Sequence, residues 1–185
     1  MEDVSGFQQK LMAASREVHT IDSDFVQEKQ LSFLNDKIES KGHFSFKKEQ
    51  LLRWEYKEPF AYLIVMDGDK ISMEDEQQKS EFDMKSNKLF QEINRLMIGS
   101  VRGTIFQGDD FQATFFENQH SYLVQAIPQL KGMQEALKQI DIYFDKKNLT
   151  VSEVKMIEKS GDYTRITFIN KRLNIPIPDE KFRMD

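Results

Sequence analysis

The sequence predicts a mainly β protein with added helices, an antiparallel barrel or strongly curved sheet. Three observations carry that reading. Residues 38–47 and 51–56 alternate with a period of two, the mark of strands with one dry and one wet face. Strand-length segments recur at roughly 8–12-residue intervals between turn signals, which favours a barrel or curved sheet over an α/β fold. Helical spacing appears in only two stretches, one at the N-terminus and one in the middle of the chain.

In chain order, Ser5 to Thr20 reads as a helix, with Ser5 and Gln8 as a capping box and Phe7, Leu11, Ala14 and Val18 on one face. Ile21 to Phe33 reads as a long strand. In the next, Ile38, Ser40, Gly42, Phe44 and Phe46 share the greasy parity, while Glu39, Lys41, His43, Ser45 and Lys47 share the wet one. Leu51 to Tyr56 places Leu52, Trp54 and Tyr56 together. Pro59 breaks the run, and Phe60 to Met66 is apolar on both faces until Asp67-Gly68-Asp69 turns the chain. Lys70–Met73 and Glu81–Met84 flank an acidic, Gln-rich segment. Ser86 to Val101 departs from the pattern: Leu89, Phe90, Ile93, Leu96, Met97 and Val101 recur at three- and four-residue spacing, with Gly103 just past the end. Strands resume at Phe111–Phe116, Ser121–Ile127, Ile140–Phe144, Leu149–Ile157 and Tyr163–Ile169, and residues 170–185 form a tail. No linker, repeat or low-complexity tract divides the chain, so one domain over residues 1–185 is expected.

Composition excludes several classes. No window approaches the roughly 18 apolar residues of a membrane span. A net charge of −5 without a basic stripe argues against nucleic acid as a partner. The absence of cysteine removes disulfide and thiolate chemistry. The N-terminus has no basic or apolar leader, which fits a cytosolic protein or an exported one whose signal has been removed. Fifteen Phe and nine Met against a single Trp supply soft, adaptable surface that suits apolar ligands as well as cores.

No catalytic constellation, metal site or cofactor motif emerges. His19, His43 and His120 are scattered, with no carboxylate or second histidine at ligand spacing, and His43 reads as a surface residue. There is no phosphate loop and no nucleophile elbow. Glu74-Asp75-Glu76 lacks the spaced ligands of a Ca²⁺ loop and reads as a solvated turn. Asn148-Leu149-Thr150 matches a glycosylation acceptor but sits in a tight turn.

An ordered set of fragments resembles one family. Phe25-Val26-Gln27-Glu28-Lys29, Gly42-His43-Phe44-Ser45-Phe46, Leu52-Arg53-Trp54-Glu55-Tyr56 with Pro59, and Ile64 with Asp67-Gly68 occur in the order and spacing of the periplasmic outer-membrane lipoprotein carriers, the LolA family. The ending, from Phe168 through Asn170, Asn174, Ile177, Pro178 and Asp179 to Phe182, is also similar. The resemblance implies an incomplete antiparallel β-barrel covered by a helical lid, with acyl chains held between them. It implies no enzyme activity and no cofactor. The implied partners are triacylated lipoproteins, an inner-membrane lipoprotein-releasing ABC transporter and an outer-membrane acceptor. The implied location is the periplasm, with the signal peptide already removed, and a monomer is expected.

On this reading the acyl-chain site draws on Phe44, Phe46, Leu52, Trp54 and Ile64 from the strands. Leu89, Phe90, Ile93, Leu96 and Met97 come from the lid helix 86–101. The residues alone leave open whether that helix is a lid or an ordinary core plug. Lys48 stands where the family carries an Arg that latches the lid. It is either a looser latch, lacking the planar fork of Arg, or a turn residue past the strand. Some carriers continue beyond this C-terminus into a further strand and helix, so the direction of delivery is open. The alternative reading is a lipid-binding, envelope-stress sensor or interaction domain of the same fold.

Overall fold

The computed structural model describes residues 1–34, 36–48, 51–83 and 109–184. Eleven strands follow one hydrogen-bonded order, β6-β5-β4-β3-β2-β1-β11-β10-β9-β8-β7. They are β1 (Thr20–Gln30), β2 (Lys37–Lys47), β3 (Leu51–Glu58), β4 (Tyr62–Asp67), β5 (Lys70–Asp75), β6 (Lys79–Asp83), β7 (Phe111–Glu117), β8 (Ser121–Pro128), β9 (Leu137–Asp145), β10 (Val151–Glu158) and β11 (Tyr163–Leu173). Among the described residues the edge strands β6 and β7 are not paired with each other, so the sheet is open. That matches the expected mainly β, antiparallel fold with an unclosed sheet. Helix α1 (Val4–Glu17), helix α2 (Lys131–Ala136) and a 3-10 turn (Asp179–Phe182) complete the described elements. The predicted lid helix 86–101 lies outside the described residues.

The chain divides into two compact, interleaved units. The first comprises Met1–Glu17, Gln27–Glu39 and Leu96–Thr167. Its helix α1 begins three residues past the N-terminus, and Asp3 rather than Ser5 caps it, accepting a 2.7 Å bond from the Gly6 N–H. An Asp just ahead of the first turn satisfies a donor that has no partner within the helix. Phe7 and Leu11 from α1 are buried with Val124, Ala126, Ile140, Ile142 and Phe144 of β8 and β9. The Phe7 ring lies 4.5 Å from Tyr122 and 6.0 Å from Phe144. Of the helical stripe read from the sequence, Phe7 and Leu11 fill an ordinary core, Ala14 is half-buried, and Val18 lies past the end of the helix, which stops at Glu17 rather than Thr20. Helix α2, which the sequence reading lacked, contains Gly132, a weak helix former; it buries Met133.

The second unit comprises Val18–Val26, Ser40–Arg95 and Phe168–Asp185. Its hairpins place Phe44 opposite Trp54, Phe46 opposite Leu52, and Trp54 opposite Ile64. Alternation then sends Leu51, Arg53, Leu63 and Val65 to the other face. There the C-terminal segment packs, burying Ile177 and Phe182 against Leu51 and Val65. Lys47 Nζ donates to the Ile177 carbonyl at 3.2 Å and pairs with Asp179, while Arg53 reaches the Lys181 carbonyl at 3.4 Å.

Candidate functional site

The candidate site is the aromatic face of the second unit. Trp54 on β3 lies 4.6 Å from Phe25 on β1, 5.2 Å from Phe44 on β2 and 6.0 Å from Phe168 on β11, measured between ring centroids. Tyr56 meets Phe25 at 5.2 Å and lies 6.3 Å from Tyr62. Edge-to-face and tilted contacts of this kind add to simple area burial. Phe44, Phe46, Leu52 and Trp54 are buried and Ile64 half-buried, and these strand residues named from sequence share one face; buried Phe25 and half-buried Phe168, not named for the site from sequence, join them. Leu89, Phe90, Ile93, Leu96 and Met97 fall outside the described residues.

Gly42 explains how β2 accommodates Phe25. A Cβ there would meet the Glu55 carbonyl at 2.0 Å and the Phe25 ring at 2.6 Å, so only glycine permits this approach. A register shift between Lys41 and Gly42 accompanies the contact. Trp54 carries a second feature: its indole Nε1 is buried and has no hydrogen-bond partner among the described residues.

The opposite face corrects the expectation of a wet surface on β2. Ser45 is fully buried, and His43 is wedged between two carboxylates, Nε2 2.8 Å from Asp22 and Nδ1 2.8 Å from Asp24. Asp22 is buried and also accepts from Arg172, from Lys181 at 3.0 Å and from Ser45 at 3.0 Å. Burial opposes its ionisation. The hydrogen bonds from His43, Arg172, Lys181 and Ser45 outweigh burial and hold its carboxyl far below the ordinary range. Asp24 is also lowered, first by Asn170 and then by His43. The sequence reading missed this cluster because the groups that hydrogen-bond Asp22 lie 21 to 159 residues from it. The only sequence signal was Asp22 and Asp24 sharing a parity in β1, with His43 on the polar parity of β2.

The Asn residues of the C-terminal fragment are structural. Asn170 and Asn174 both adopt left-handed backbone conformations, φ 54° and 57°, which Asn tolerates better than most residues. Asn174 Oδ1 accepts from the His19 N–H at 2.7 Å, fixing the start of β1. β2 ends at Lys47, and Lys48 sits in the turn after it with its backbone N–H donating to the His19 carbonyl at 2.9 Å. The expected latch to the lid helix 86–101 falls on residues outside those described. Among the described residues no group of carboxylates and histidines is arranged to hold a metal ion.

An open antiparallel sheet whose one face is lined by a cluster of aromatic rings defines a class of small β proteins, and comparison places the chain within it. The family described as outer membrane lipoprotein carrier protein LolA matches residues 16–185. The chain belongs to that family. A curated relative, the outer-membrane lipoprotein carrier protein of Halorhodospira halophila, is 24% identical over 154 residues; the match covers 80% of this chain and 66% of the relative's length. Among solved structures, an uncharacterised conserved protein from Thermus thermophilus superposes with a TM-score of 0.61 at 9% identity, covering 96% of this chain and 93% of that one. The Pseudomonas aeruginosa MucA/MucB complex gives a TM-score of 0.59 at 11% identity, covering 99% of this chain and 61% of that one. At such identities these two likenesses speak for the fold.

Proposed function

We propose that the protein is a periplasmic carrier that holds the acyl chains of lipoproteins against the Trp54 face and moves them from the inner to the outer membrane. Family membership supports the general role. The observation that carries it to this site is the aromatic set of buried Phe25, Phe44 and Trp54 with half-buried Phe168, contributed by four strands to one face. An inner-membrane ABC transporter would supply the cargo and an outer-membrane acceptor would receive it; the carrier itself catalyses no step.

The proposed lid, residues 86–101, has an energetic rationale. A triacylated anchor carries roughly 45 methylenes at about 0.8 kcal/mol each when buried. Their full sum exceeds the practical ceiling of about 18–21 kcal/mol, and a carrier that tight could not release. If Leu89, Phe90, Ile93, Leu96 and Met97 cover the strand face when it is empty, acyl chains must displace them, and only the difference appears as affinity.

Native mass spectrometry with and without a triacylated lipopeptide tests the reading. A stoichiometric, detergent-free complex that is lost in Ile93→Glu is the expected result. A different co-purified lipid and no lipopeptide complex would transfer the role to another lipid. No lipid of any kind would overturn the carrier in favour of an interaction domain.

A further inference from the structure

The aromatic face contains one polar atom that its packing does not use. Trp54 is 8% exposed, yet its indole Nε1 is wholly buried and donates to nothing among the described residues. A buried donor without an acceptor forfeits about 1–3 kcal/mol of desolvation. The rings of Phe25, Phe44 and Phe168 around it offer no oxygen or nitrogen. Tyr56, 6.4 Å away between ring centroids, adds one hydroxyl, still short of the two to four polar partners a bound water needs. The other buried side-chain donor without a hydrogen bond, Arg165 Nε, differs in kind: it belongs to an ion pair, 3.4 Å from Glu153. Trp54 has no such compensation.

We propose that Trp54 Nε1 is the polar anchor of the ligand site and donates to a carbonyl oxygen at the head of an acyl chain. This rests on the carrier reading and deepens it, by assigning the ligand's carbonyl a fixed place on an otherwise hydrocarbon face. Methylene burial is non-directional and cannot set how far a chain inserts. A single hydrogen bond from a rigid, ring-packed indole can. An acyl ester would bind with its carbonyl at Trp54 and its chain along Phe44, Phe46 and Leu52. An alkyl ether of the same length would lose that registration.

The experiment uses two matched probes on the full chain: a dipalmitoyl glycerylcysteine peptide with two ester carbonyls, and its dihexadecyl ether counterpart. Because the chain has one Trp, ¹⁵N-indole labelling gives a single side-chain resonance to follow. The ester probe should move the indole proton downfield and bind about two- to tenfold tighter than the ether. Trp54→Phe, which keeps a ring but removes the donor, should bring the ratio of ester to ether affinity to about one. Equal indole shifts with both probes and an unchanged ester preference in Trp54→Phe would overturn the anchor while leaving the carrier standing. If wild-type protein binds neither probe, the carrier reading falls and the anchor with it.

Discussion

The face of β8 and β9 and the face of β2–β4 present opposite solutions to burying a sheet. On the first, α1 supplies Phe7 and Leu11, which fill the space between aliphatic strand residues. On the second, rings from β1, β2, β3 and β11 pack against one another around a Trp whose donor is left over. A filled core commits its contacts to folding. A face that keeps an unspent donor holds one interaction available for a ligand, at some cost to the empty protein. The two faces should therefore respond differently to substitution: the first through stability, the second through binding.

The largest stability effect is expected at the filled face. Phe7→Ala should lower unfolding free energy by about 3–5 kcal/mol in urea titrations, with lipopeptide affinity of the folded fraction unchanged. A parallel loss of affinity would erase the distinction between the faces. Asp22→Asn, behind the aromatic face, should cost about 1–3 kcal/mol at neutral pH by weakening its charge-assisted bonds. The pH dependence has a definite sign. A carboxyl lowered on folding contributes fully above its ordinary value of 3.8, and that contribution disappears as pH falls through the lowered folded value. The difference between wild type and Asp22→Asn should stay flat from pH 7 to about 4.5 and shrink below pH 4.

Gly42→Ala should cost about 1–3 kcal/mol and perturb the near-ultraviolet signal of Trp54, because the new methyl drives Phe25 toward it. The smallest effect is expected at the sheet surface. Lys41 and Glu58 pair at 3.6 Å with both side chains mostly exposed, and Lys41→Ala should change stability by less than about 1 kcal/mol.

The contrast also divides what the sequence disclosed from what it did not. Phe44, Phe46, Leu52, Trp54 and Ile64 were legible as one face because a period of two and flanking turns fix both strand and parity. The stripe of α1 was legible for the same kind of reason, with a period of 3.6. The Asp22 cluster was not, since Arg172 and Lys181 reach it from the far end of the chain and no local pattern announces such a pairing. Nor was the partnerless Nε1 of Trp54. A missing acceptor is a property of packing among four strands, and no residue type encodes it. His43 shows the intermediate case: its polar parity was read correctly, but the C-terminal segment that makes that face a buried one was not.

The most direct test of the account is quenching of the single Trp by a lipopeptide whose acyl chains carry bromine or a nitroxide along their length. If acyl chains lie on the Trp54 face, emission should fall in a saturable one-to-one titration, while an unlabelled lipopeptide shifts the spectrum without quenching it. Complex formation in native mass spectra with undiminished Trp54 emission would place the chains elsewhere and contradict the account.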